Sequence, residues 1–213
     1  MNRLKIFISY SSEDKGLGRL FKTCFENYVG FSVFLAHEDI SPATEWELKI
    51  IKEMRNSDVV IPLITKNYRN SEFTDQELGM ALAWEKIILP IKLADINPYG
   101  FIKKFQALKC KNDEYSIVNG VVSTALVLIE SKEFNKHRNI VIKSVVKAFC
   151  QSSSFKMTRT IIGILTKINK FTDEQITSFK KAIKNNSQIY DEYYALPNFK
   201  KMLKEQYKIV IDS

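Results

Sequence analysis

Short runs of β-branched and aromatic residues alternate with segments of helical period through the first half of the chain, and no other feature limits the fold as strongly. Lys5-Ile6-Phe7-Ile8-Ser9-Tyr10 reads as a strand. Ser11-Ser12-Glu13-Asp14 supplies a turn and a helix start. Leu17, Leu20, Phe21, Cys24 and Phe25 then recur at helical spacing. Val29-Gly30 ends that helix before a second strand, Phe31 to Ala36. A polar loop, His37 to Ala43, precedes a helix with Trp46, Ile50, Ile51 and Met54 on one face. Asp58 to Ile64 is continuously apolar, as expected of a strand buried on both faces. Its Pro62 lacks an N–H, which argues against a fully central position. A second polar loop, Lys66 to Phe73, leads to a helix expected over Asp75 to Glu85, and Ile87 to Leu93 is expected as a fourth strand. Phe101 to Leu108 and Val121 to Ile129 read as further helices. Strands that alternate with helices imply βαβ units, right-handed crossovers and a parallel sheet.

Near Glu130 the pattern changes. Helical stretches follow at about Asn135 to Phe149, Lys156 to Ile168 and Asp173 to Lys184, with short ones after Asp191 and Asn198. Thr172-Asp173-Glu174-Gln175 is a capping box. The only later strand candidate is Tyr207 to Ile211. The expected organisation is therefore an α/β domain over residues 1–130 and a smaller α-helical domain over 131–213. Charge divides at the same place. The net charge is +8, yet residues 1–130 carry 16 basic and 17 acidic side chains and residues 131–213 carry 16 and 7. Aromatic residues interleave with the C-terminal lysines, a pattern compatible with nucleic-acid binding. Solvated lysines over an aromatic core are the expected reading, and nucleic acid is not an expected partner. Cys24, Cys110 and Cys150 make no CxxC or zinc spacing and are expected as free thiols of the cytoplasm. The longest strongly apolar run, Ala125 to Ile129, is too short for a bilayer, so no membrane association is expected.

In open parallel α/β sheets, ligands bind beyond the carboxyl ends of the strands. Three loops meet that criterion: Ser9 to Asp14, His37 to Ala43 and Thr65 to Glu77. No Gly-rich phosphate loop, GxSxG or HExxH is present, and two histidines are too few for most histidine-based metal sites. A phosphoacceptor aspartate is missing after the third strand, where Thr65-Lys66 stands. On local pattern alone, Thr74-x-x-Glu77 is a capping box with Glu77 in the first helical turn. Trp46 reads equally as a core anchor, and His37 and Asp39 as solvated turn residues.

The ordered set of motifs resembles the TIR (Toll/interleukin-1 receptor) domain over about residues 4–108. Lys5 to Asp14 resembles its opening strand and first box. Val33 to Trp46 resembles its second strand and BB loop. Ser71-Glu72-Phe73-Thr74-Asp75-Gln76-Glu77-Leu78-Gly79 resembles the segment that carries the family's catalytic glutamate. The phrases Ala36 to Ile40 and Thr74 to Gly79 are most similar to bacterial TIR proteins of Thoeris-type antiphage defence. The resemblance implies a flavodoxin-like fold and cleavage of the nicotinamide–ribose bond of NAD+, a substrate here and not a cofactor, with no metal. It implies Glu77 as the catalytic residue. Substrate contacts are expected from Phe7, Ser9, Tyr10, Ser11, His37, Asp39, Trp46, Ser71 and Phe73. It implies self-association through TIR domains, an ADP-ribose-derived signal, cyclic or conjugated, a phage-derived trigger and an effector that binds the product. A TIR scaffold without turnover is the alternative. Two departures bear on that choice: Pro42-Ala43 stands where the family often has Pro-Gly, and Phe73 where many enzymatic members have tryptophan.

Overall fold

The structure, a computed structural model, describes residues 3–36, 46–93 and 95–208, with the backbone only of Trp46. These residues fall into two compact units. One comprises Leu4–Glu26 and Phe31–Thr124; the other comprises the chain from Ala125 onward together with Arg3 and Asn27–Gly30.

The first unit is built on a parallel sheet. Its strands are β1 (Lys5–Ser9), β2 (Ser32–Leu35), β3 (Val59–Ile64), β4 (Ile87–Ile88), β5 (Ile91–Lys92) and β6 (Leu108–Lys109). The order is β2-β1-β3-β5-β6, with β4 also paired to β3. Every pairing is parallel, from Ile6 opposite Val33 and Val59 to Ile91 opposite Leu108. Counting β4 and β5 as two halves of one strand gives the 2-1-3-4-5 order of flavodoxin-like sheets. The expected fourth strand is interrupted at Leu89-Pro90, opposite Pro62 of β3, which has no N–H to donate across the gap. Val60 and Ile64 accept from Leu89 and Leu93 on that side, and residues two apart share a side. The proline therefore sits centrally after all, with all six residues of β3 buried, because its missing donor coincides with a break in the neighbouring ladder.

Helices α1 (Lys15–Tyr28), α2 (Trp46–Asn56), α3 (Lys66–Arg69), α4 (Glu72–Ala83) and α5 (Glu114–Glu130) connect the strands and lead out of the sheet. Phe7, Val60, Ile64, Met54, Leu78 and Ala81 form the centre of one core cluster. Phe34 packs against it, its ring centroid 5.5 Å from that of Phe7. Three expectations are corrected here. The polar loop after β3 contains α3, capped by Thr65, whose hydroxyl accepts from the Tyr68 N–H. The following helix begins at Glu72, three residues earlier than expected. The segment expected as a helix from Phe101 to Leu108 is a 3-10 turn, Gly100–Lys104, followed by β6.

The C-terminal unit is helical: α6 (Asn135–Cys150), α7 (Phe155–Leu165), α8 (Asp173–Asn185), α9 (Ser187–Tyr190) and α10 (Leu196–Tyr207). Thr172 and Gln175 form the expected capping box. Phe149, Phe171, Phe179 and Phe199 meet edge to face, with centroids 5.0–5.6 Å apart, which suits the charge distribution of aromatic rings. Glu192 is buried, receiving Arg159 and the N–H groups that open α10, those of Ala195 and Leu196. Tyr207, expected to open a strand, ends α10, and residues 209–211 of that segment lie outside the described residues.

Candidate functional site

The site lies at the carboxyl ends of β1 and β3, the point where the strand order reverses and where α/β sheets of this kind bind ligands. Side chains alternate along a strand, so Phe7 and Ser9 share the sheet face that α4 covers. Leu78 and Ala81 of α4 join the cluster around Phe7. Beyond the end of that apolar contact, Glu77 meets Ser9. The Ser9 hydroxyl donates to Oε2 of Glu77 over 2.6 Å. The Tyr68 hydroxyl from α3 lies 3.2 Å from the same serine oxygen. Ser9 and Tyr68 are fully buried, and Glu77 keeps 3% of its surface exposed.

Burial pushes the Glu77 carboxyl up to about 8, with the Ser9 hydrogen bond opposing the shift. Withdrawal from water penalises the charged form, and one hydroxyl donor does not replace a hydration shell. Burial likewise pushes the Tyr68 phenol well above its ordinary value, so it keeps its proton. Ser9 has one proton. When that proton is given to an ionised Glu77, Tyr68 is the donor to Ser9, and the three groups form a directed chain ending on the carboxylate.

The early start of α4 changes what Glu77 does. Glu77 stands in the second turn, and the capping box expected at Thr74-x-x-Glu77 is not formed. Thr74 instead directs its hydroxyl to the carbonyls of Tyr68 and Ser71, at 2.8 and 2.7 Å, tying α3 to α4. A second tie orients α3. Asp14 accepts from the Thr65 hydroxyl at 2.5 Å and from the Asn67 amide at 2.9 Å. The turn after β1 and the helix after β3 are thereby joined over the strand ends.

Of the residues expected to serve the site, Ser9 and Glu77 are brought together. Phe7 lies in the core. Tyr10 is fully buried with its ring against Gly18, close to where a Cβ would stand. Ser11 caps the 3-10 turn Ser12–Asp14 by accepting from the Glu13 N–H. Ser71 holds the N-cap position of α4 without a side-chain cap bond. Phe73 is 46% exposed, one turn before Glu77 and on the same helix face. Trp46 opens α2. His37 and Asp39 lie outside the described residues. Sequence reasoning missed Tyr68, Asp14 and Asn67. A helix of four residues has no period to read; the usable signal was Thr65 as an N-cap with an aromatic three residues later. Among the described residues, no group of three or more His, Cys, Asp and Glu side chains is placed to hold a metal.

The family model described as TIR domain matches residues 6–119, more than half of the 213-residue chain. Among solved structures, the TIR domain of the Toll-related receptor TRR-2 from the lower metazoan Hydra magnipapillata is similar. Identity is 19%, the match covers 49% of this chain and 82% of that one, and the TM-score is 0.44. None of the curated proteins compared matches the chain. With the family match running from β1 through every strand of the sheet into α5, the chain belongs to the TIR domain family.

Proposed function

We propose that this protein is a TIR enzyme that cleaves the nicotinamide–ribose bond of NAD+ with Glu77 as the catalytic carboxylate. The observation that carries this reading is the buried, proton-retaining Glu77 at the strand-order reversal, hydrogen-bonded by Ser9. Carboxyls shifted this far concentrate at functional sites. In the reaction, the bond between ribose C1′ and the pyridinium nitrogen breaks and its electron pair leaves with nicotinamide, neutralising that ring. The positive charge passes to the ribose as an oxocarbenium-like centre, as in glycoside hydrolysis. An ionised Glu77 beside the ribose opposes that charge and accepts from its hydroxyls. Water, or a hydroxyl of the same nucleotide or of another small molecule, then bonds to C1′ and releases a proton. Phe73 lines the approach to Glu77 on the same helix face.

The free protein holds Glu77 mostly protonated at neutral pH, and the cationic nicotinamide ring favours its ionised form, so binding expels a proton. Nicotinamide release is expected to follow kcat/KM values that rise with pH and level off above about 8. Glu77→Gln is expected to lower release at least 100-fold. Equal release by wild type and variant would remove Glu77 from the reaction.

A scaffold without turnover remains the second reading, favoured by one observation: at 3% exposure Glu77 touches substrate only after local opening. Absence of nicotinamide release under conditions that promote assembly would establish it. Within the enzyme reading we assign the protein to antiphage signalling of the Thoeris kind. It works in the cytoplasm by self-association, answers a phage-derived trigger, and makes an ADP-ribose-derived product for a downstream effector. The free thiols of Cys24, Cys110 and Cys150 support a reducing compartment. No described helix is long and apolar enough to cross a membrane.

A further inference from the structure

The C-terminal unit contains a cavity of about 620 Å³ between α6 and α8, a size typical of small-molecule sites. One wall is a stripe of α6 at helical spacing, Lys136, Ile140, Lys143 and Lys147, and Arg3 of the same unit adds a fourth cation. Among the described residues, Glu174 of α8 is the only carboxylate that lines it. Among the described residues, none of these four cations forms an ion pair. The interior is more apolar than polar, formed by Ile140, Val146 and the methylene stems of the lysines. At one end the Cys150 thiol lies 3.7 Å from the Ser178 carbonyl that it donates to, bridging the two helices.

We propose that the cavity between α6 and α8 is a binding site for a small organic anion with an apolar body. Four cations against one carboxylate leave a strong positive excess at the rim, while the interior gains by excluding water from an apolar group. The lysines span about 17 Å along α6 at the helical rise, so an elongated ligand finds a cation along most of its length. A carboxylate on an acyl chain and a phosphate on a nucleoside share this chemistry. The site is independent of Glu77 and of NAD+ cleavage.

The probe is 8-anilinonaphthalene-1-sulfonate, titrated into the full chain by fluorescence beside N-phenyl-1-naphthylamine, which has the same rings without the anion. Lys143→Glu/Lys147→Glu is expected to weaken binding of the sulfonate at least tenfold and to leave the neutral compound unchanged. Lys167→Glu/Lys204→Glu changes the net charge equally at exposed positions outside the cavity and is expected to leave both unchanged. The wild type supplies a second measurement: raising salt from 50 to 500 mM weakens the sulfonate and spares the neutral compound. Displacement of the sulfonate by oleate identifies the acyl carboxylate as the source, and displacement by AMP the nucleoside phosphate. Displacement by neither, equal affinity for the neutral compound, or equal losses in both double variants would overturn the proposal.

Discussion

Glu77 is held where its charge is least favourable, and the consequence for stability has a definite sign. Its carboxyl titrates near 8 in the folded protein and near 4.5 when exposed to water. Below pH 4.5 both states are protonated and burial of the charge costs nothing. Between 4.5 and about 8 the unfolded chain gives up the proton while the fold retains it, so stability falls as pH rises, at about 1.4 kcal/mol per pH unit. Glu77→Gln keeps the shape without the proton equilibrium. The variant is expected to match wild type in urea unfolding at pH 4.5 and to exceed it by about 3 kcal/mol at pH 7. A residue whose removal stabilises the fold while abolishing turnover is present for chemistry. Equal stability at both pH values would remove the argument from burial. Tyr68→Phe deletes the first donor of the chain ending on Glu77. The expected result is a pH–rate profile displaced to higher pH, with activity at pH 7 lowered about threefold to tenfold and much of it recovered above pH 9. A uniform loss at every pH would instead assign Tyr68 to packing. Ser9 was legible at the carboxyl end of a readable strand, and Glu77 only through the resemblance carried by Ser71 to Gly79, since its local pattern read as a capping box. Tyr68 was not, because a single turn offers no periodicity and its partner Ser9 lies 59 positions away.

At the scale of elements, the strands and long helices followed from period and composition, and two of the misreadings share one cause. Local patterns were satisfied by tertiary partners instead of by their own segment. Thr74-x-x-Glu77 has the form of a capping box, yet Thr74 reaches the Tyr68 carbonyl and Glu77 reaches Ser9. Phe101 to Leu108 has helical spacing of apolar residues, yet the chain turns once and pairs Leu108 with Ile91. Gly30 shows the opposite case, a local signal whose reason appears only in three dimensions. Its φ of +69° suits glycine, and a Cβ there would run into the Ser144 carbonyl oxygen of α6. Backbone strain and steric conflict add, so Gly30→Ala is expected to destabilise the protein by about 2–4 kcal/mol in urea unfolding. A loss under 1 kcal/mol would mean that the loop relaxes away from α6.

At the scale of the molecule, the sequence divides near Glu130 in charge and in pattern, and a cut there looks harmless. The contacts divide the chain differently. The helical unit includes Asn27–Gly30, from the end of α1 and the turn before β2, along with Arg3, and the boundary after Thr124 falls inside α5. Val29 in that turn is fully buried, and Gly30 is shaped to α6. No reading of composition detects this, because four residues carry too little charge or periodicity to mark their allegiance. A chain ended after Glu130 keeps every strand and Glu77 but loses the Ser144 carbonyl that Gly30 approaches and most of the unit to which Val29 belongs. Both residues sit between α1 and β2, so loosening there reaches the strand that pairs with β1, the strand that carries Ser9. The truncated chain is therefore expected to melt at least 5 °C below the full chain by circular dichroism. Any nicotinamide release is expected to fall with it. An unchanged melting temperature would show the α/β unit to be self-sufficient and residues 27–30 to be passengers of the helical unit.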